Sequence, residues 1–146
     1  MNIEQLLKKK GIEPIIVGPK ETIAATARLL AGQNKGLALV CNADKRLLGV
    51  VSVMDISRAV AAHAERAPAM AVDEIMTTDF CACELADSAE EALGRMRECR
   101  VRHLPIVEQG VLKGLLNMRG VLEHRSEEAE IEASEIRSYI FGAGYH

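Results

Sequence analysis

The sequence predicts an α+β fold, in which two pseudo-twofold-related units of helix, strand, strand and helix, each with an extended lead-in, pack sheet to sheet. Three observations lead there. The order of apolar periodicities runs through once and then runs through again. Matched residues recur at a nearly fixed offset: Thr22 with Ser88 and Val40 with Ile106 lie 66 apart, and Gly49 with Gly114 lie 65 apart. One unit holds only two or three strands, too few to bury a sheet alone, whereas two units facing each other can. The units span residues 1–67 and 68–125, followed by a tail over 126–146.

In the first unit, Ile3, Leu6 and Leu7 lie on one face of a short helix, with Lys8, Lys9 and Lys10 outside. Gly11 ends it, and Ile12 to Val17 is extended because Pro14 forbids a long helix. Ile23, Ala27 and Leu30 carry helical spacing over Thr22 to Leu30. Leu37–Cys41 and Leu47–Val53 read as a hairpin around Asn42-Ala43-Asp44-Lys45. Asp55, a favoured N-cap residue, opens a helix to Arg66 that Ala67-Pro68 breaks.

In the second unit, Asp73–Met76 is a helical turn and Thr77-Thr78-Asp79 leads into an extended Phe80–Cys83. Ser88 and Glu91 fit a capping box at the start of a helix to Cys99. Leu104–Val107 and Val111–Leu116 form the second hairpin, and a last helix from Met118 runs toward Phe141.

Composition narrows the function. The 146 residues are 49% hydrophobic and 27% charged, as expected of a globular chain. Aromatics make up 3%, Trp is absent and the net charge is -3, which argues against a nucleic-acid partner. No apolar run approaches the roughly 20 residues of a membrane span, and the first residues lack a signal-peptide layout. A cytoplasmic protein without a membrane partner is expected. The four cysteines contain no C-x-x-C pair, so reduced thiols are expected rather than a disulfide framework.

The stretch Gly49-Val50-Val51-Ser52-Val53-Met54-Asp55 carries the chemistry. It brings a hydroxyl and a carboxylate to a helix N-terminus, a place where phosphates and hydroxyls can be held. The plain alternative is that Asp55 only caps a helix and Ser52 only ends a strand.

Several motifs recur in order: Asp73-Glu74-Ile75-Met76-Thr77, Ser88-Ala89-Glu90-Glu91-Ala92, Val101-Arg102-His103-Leu104-Pro105-Ile106-Val107 and Gly114-Leu115-Leu116. Together they resemble a cystathionine-β-synthase-type (CBS) domain. The first unit is a more divergent copy, through Glu21-Thr22-Ile23, Gly36–Val40 and Gly49–Asp55. The chain from about Ile3 to about Arg125 resembles a stand-alone CBS pair, or Bateman module. The resemblance implies an adenosyl ligand (AMP, ADP, ATP or S-adenosylmethionine) between the units, a homodimer, and regulation rather than catalysis.

It also implies a ribose-and-phosphate motif, G-h-h-[ST]-x-x-D, with h apolar. An ionised Asp accepts from both ribose hydroxyls, and the Ser or Thr hydroxyl donates to phosphate. Gly49, Ser52 and Asp55 complete this motif, whereas the second copy has Asn117 and Gly120 at the polar positions. The basic residues expected opposite the phosphate are Arg102 and His103, whose first-unit equivalents are Gly36 and Leu37. His103 could be neutral or cationic near pH 7. One site, with Ser52 and Asp55 facing Arg102 and His103, thus keeps both halves; the other, with Asn117 and Gly120 facing Gly36 and Leu37, has lost both. One competent site per chain is expected. The base would lie against the lead-in residues Ile12, Pro14 and Ile16, with Val53 and Met54 nearby.

The remaining features read blandly. Cys81 and Cys83 share a strand face, but no third and fourth metal ligands stand at recognisable spacing, so they read as small buried residues and no metal or other cofactor is expected. His63, His124 and His146 read as surface groups, and no nucleophile–base pairing marks an enzyme. Ala129, Ala133, Ile136 and Ile140 make the tail amphipathic; it either extends the last helix over its own core or packs on a second chain or a client protein, and Gly142 would stop it. The expected function is a regulatory module sensing an adenosyl ligand. The alternative is a ligand-free dimerisation or protein-interaction module.

Overall fold

The computed structural model describes residues 1–142, with side chains through residue 140. The elements are α1 (Ile3–Lys10), β1 (Ile15–Val17), α2 (Ile23–Gln33), β2 (Leu37–Cys41), β3 (Leu47–Ser52), α3 (Val53–His63), α4 (Ala89–Cys99), β4 (His103–Glu108), β5 (Val111–Asn117) and α5 (Met118–Arg137). Two 3₁₀ segments, Ala64–Ala69 and Val72–Glu74, connect the halves, and a π-helical turn over Ser138–Gly142 follows α5.

The duplication is visible in the backbone. Helices α2 and α4 are capped by Thr22 and Ser88, whose side chains accept from Ala25 and Glu91 N–H, and end at left-handed Asn34 and Arg100. β2–β3 and β4–β5 are antiparallel hairpins with register shifts at Val40/Cys41 and Ile106/Val107. β1 runs parallel to β2, with Val17 opposite Val40. Its counterpart is a single parallel bridge from Cys83 to Ile106.

Alternation sends the strands' side chains to two layers. Ala38, Val40 and Val51 face α2 and α3, while Leu104, Ile106 and Leu116 face α4 and α5. Leu39, Cys41, Leu47 and Leu115 form a third cluster where the sheets meet. At the hairpin turns the halves also pair by backbone: Leu47 N–H donates to Gly110 O (3.0 Å) and Leu112 N–H to Lys45 O (2.9 Å).

Each half's leading segment serves the other half. Ile3 and Leu6 of α1 are buried with Leu93 and Met96 of α4, and Ile12 bridges to Leu115. Val72 is buried in the first half's core, and Thr77 bridges to Val50. This crossing explains the matched glycines. A Cβ on Gly49 would meet Met76 Sδ at 2.7 Å and Thr77 O at 2.9 Å, and one on Gly114 would meet Leu7 Cδ2 at 2.8 Å.

Five local readings need correction. The helix N-cap is Ser52, not Asp55, and the helix begins at Val53 rather than extending the strand through it. Asp55 is the third helical residue because a capping box forms there; that helix stops at His63 and a 3₁₀ segment continues through Pro68. Ser88 makes only half of its box, since the N-terminus docks beside it: Ile3 N–H donates to Asp87 O and Ala89 N–H to Met1 O. His124 is buried, not on the surface, with Nε2 2.9 Å from Glu128 Oε1, while His63 is exposed. Cys81 and Cys99 are joined in a disulfide, since the lead-in of the second half runs beside the end of α4. His146 and the side chain of Phe141 lie outside the described residues.

Gly49→Ala should lower unfolding free energy by about 1–3 kcal/mol, because its new methyl meets fixed backbone at Thr77. Gly114→Ala should cost less, since a Leu7 methyl can swing away. Urea denaturation of the two variants checks the order.

Candidate functional site

β3 delivers Ser52 to the start of α3, where the capping box closes. Asp55 N–H donates to Ser52 Oγ (3.1 Å), and Ser52 N–H donates to Asp55 Oδ2 (2.8 Å). The Ser52 hydroxyl also donates to Oδ2 (3.0 Å). One carboxylate oxygen is therefore committed to the cap. The other, Oδ1, takes no part in the cap and stands 3.7 Å from the guanidinium of the exposed Arg58.

On the second half, α4 ends at Cys99, Arg100 turns left-handed, and the chain passes Val101 and Arg102 into β4. His103 starts β4 opposite Asn117. Arg102 is exposed and His103 half-buried. Burial pushes the His103 imidazole below its ordinary pKa, so the ring is neutral at pH 7.

These two ends meet across one cleft of about 390 Å³, within the roughly 300–1,000 Å³ of small-molecule sites. Ser52, Asp55, Arg102 and His103, which the resemblance groups together, all line it. Leu37, Val50, Phe80 and Pro105 supply an apolar lining, and Thr77 and Asp79 add polar groups.

The other expected residues lie elsewhere. Ile16, Val53 and Met54 are 49%, 51% and 58% exposed and do not line the cleft. Helical rotation turns Val53 toward the groove between α2 and α3, beside Leu30 and Ile56. Ile12 and Pro14 are half-buried, with Ile12 against Leu115 of the other half. The lead-in beside Ser52 is instead residues 77–81, carried there by the Thr77–Val50 bridge. The signal for it was the polar Thr77-Thr78-Asp79 run at the crossing.

At the second copy, Asn117 accepts from Gly120 N–H (2.8 Å) and serves only as a cap. A Cβ on Gly120 would meet Asn117 Oδ1 at 3.0 Å and Lys10 Cβ at 3.3 Å, so α1 closes over the position of the missing acid. Gly36 and Leu37, expected beside this copy, line the first cleft instead, because β2 pairs Leu37 with Ser52. Among the described residues, no group of three His, Cys, Asp or Glu side chains is placed to hold a metal ion, and no helix is long and apolar enough to cross a membrane.

A duplicated helix–strand–strand–helix unit, with a cleft between its copies, defines a class of paired modules. The CBS domain family profile matches residues 5–62 and 72–127, and the chain belongs to that family. The structure is similar to that of the CBS-domain containing protein ATU1752 from Agrobacterium tumefaciens, at 28% identity and TM-score 0.75, covering 86% of this chain and 99% of that one. The fold is shared with the CBS domain pair of protein MJ0100, solved in complex with 5′-methylthioadenosine and S-adenosyl-L-methionine, at 16% identity and TM-score 0.72 over 88% of this chain and 98% of that one. An uncharacterised 33.4 kDa protein in a ribosomal RNA operon of Thermofilum pendens is 27% identical over 135 residues. That match covers 87% of this chain and 43% of the relative, so the chain spans less than half of that protein.

Two measurements check this geometry. Ser52→Ala should destabilise the protein by about 1 kcal/mol, read by denaturant titration. Because the folded state holds His103 neutral, the unfolded chain takes up its proton first; stability should fall as pH drops below about 6.5 toward the depressed pKa. Melting curves between pH 7.5 and 5 (the assay range) should show this fall, and His103→Asn should flatten it.

Proposed function

We propose that the chain is a regulatory module that takes an adenosyl ligand into the cleft between its halves, one per chain, and does no catalysis. The observation carrying this reading is the convergence of Ser52, Asp55, Arg102 and His103, from opposite halves, on one cleft. Asp55 Oδ1 accepts from the ribose hydroxyls. Leu37, Val50, Phe80 and Pro105 take the base, and Arg102 faces the phosphate or the amino-acid carboxylate of the ligand.

The charges favour a small anion load. Arg102 is the cation among the cleft residues, His103 is neutral at pH 7, and Asp55 and Asp79 are acids. A triphosphate suits this set poorly; AMP and S-adenosylmethionine suit it better. Binding of AMP should tighten as pH falls, because phosphate beside His103 favours the imidazolium. A homodimer that passes ligand state to a client protein completes the reading. Binding then shifts the arrangement of the halves by its differential affinity for the two states.

A specific feature also supports the alternative of an interaction module. Ile136 and Ile140, which share a face with Ala129 and Ala133 on and just beyond α5, are 58% and 56% exposed. This face suits a second copy or a client whether or not the cleft is filled.

A thermal-shift panel should rank AMP and S-adenosylmethionine above ATP. In calorimetry, Asp55→Ala should abolish binding of every adenosyl ligand, while Arg102→Ala should weaken AMP and leave adenosine unchanged. Undiminished AMP affinity in Asp55→Ala protein would sink the ribose assignment.

A further inference from the structure

The cleft wall contains a pair of groups that ligand binding does not use. Cys81, on the lead-in, and Cys99, the last residue of α4, line the cleft and are bonded to each other, with Cα atoms 6.6 Å apart. Cys99 is exposed and Cys81 half-buried, so solvent reagents reach the pair. The other two cysteines differ. Cys41 and Cys83 are 5% and 1% exposed, and burial pushes both thiols above their ordinary range, which keeps them unreactive.

The position of the bond matters more than its presence. The lead-in is pinned at Thr77 by the bridge to Val50 and at Cys83 by the bridge to Ile106. Residues 78–82 between these pins belong to no helix or strand. Arg95 Nη1 donates to Ala82 O (2.9 Å) near one end. Cys81 ties the middle of this span to the helix end that leads, three residues on, to Arg102. The disulfide thus joins the segment bearing Asp79 and Phe80 to the segment bearing Arg102 and His103. Both segments line the ligand cleft.

We propose that Cys81 and Cys99 form a reversible redox lock on the cleft, so that oxidation tightens ligand binding and reduction loosens it. The proposal rests on the adenosyl reading of that cleft. With hydrogen peroxide as oxidant, the exposed Cys99 thiolate attacks one peroxide oxygen, breaking the O–O bond and giving a sulfenic acid and hydroxide. The Cys81 thiolate then attacks the Cys99 sulfur, forming the S–S bond and expelling the second hydroxide. The two thiol protons convert both hydroxides to water, and two electrons pass from the thiols to the peroxide. A dithiol reductant reverses the state by thiol–disulfide exchange. Binding changes because a span held in its bound arrangement loses less freedom when the ligand enters.

The test uses the full chain in peroxide-treated and dithiothreitol-treated forms. Alkylation and mass spectrometry should find two reactive thiols fewer after peroxide, with peptide mapping placing the bond at Cys81 and Cys99. Amide exchange over residues 78–82 should slow on oxidation. Calorimetry with AMP should give a dissociation constant about tenfold lower for the oxidised form. Cys99→Ser protein should bind like the reduced form under both treatments. Equal AMP affinity in the two forms overturns the proposal, as does a peroxide-treated protein that keeps all four thiols or pairs others. Binding of neither AMP nor S-adenosylmethionine to either form overturns the adenosyl reading; unchanged exchange over 78–82 on oxidation overturns the lock whether or not a ligand binds.

Discussion

Each half of this protein completes its fold with backbone from the other half, and the rest of the molecule depends on that exchange. A hairpin with one short parallel strand leaves a sheet face and a sheet edge open. The faces are covered when the two sheets meet at Leu39, Cys41, Leu47 and Leu115. The edges are met by the crossing segments, Ile12 against Leu115 and Thr77 against Val50. Gly49 and Gly114 follow from it, since Met76 and Leu7 lie where a side chain would stand. The cleft follows too: both halves line it, and the crossing segment 77–81 of the second half lies beside Ser52 of the first.

That exchange also separates what was legible in the residues from what was not. Local patterns mark the elements well, because capping residues and apolar periodicity act over one or two turns. Thr22, Ser88 and the near-constant offset between the units placed the duplication correctly. Ser52, Asp55, Arg102 and His103 were picked out by their motifs, and all four line the cleft, whereas the pairing of Gly36 and Leu37 with the second copy did not hold. The lead-in was not legible. Ile12, Pro14 and Ile16 precede the first hairpin in the chain, yet sequence order says nothing about which copy a crossing segment covers. Val53 and Met54 lie outside the cleft lining, since a helix starting at Val53 turns each successive side chain by about 100°. The burial of His124 and the approach of Cys81 to Cys99 depend on inter-element packing, which periodicity does not encode.

The two copies have diverged in a coordinated way. The first keeps an acid at the third position of its helix and uses one oxygen for the cap. The second has a glycine at that position, and α1 presses Lys10 over it. Lys10 then reaches Glu127 (2.8 Å) and Glu123 (3.6 Å), fastening α5 to α1. In the second half the position matching Asp55 is a structural joint, and the long α5 is anchored there.

The paired hairpin turns give this asymmetry a mechanical meaning. Leu47 with Gly110 and Leu112 with Lys45 join the halves at one end of the strands. The cleft lies at the other end, where β2 begins and β3 finishes, a strand length of roughly 17–20 Å away. The cleft end is joined as well, since Thr77 N–H donates to Val50 O (2.9 Å) and Val50 N–H to Thr77 O (3.0 Å). The halves are thus stitched at both ends of the strands, and the cleft is a gap inside a braced frame.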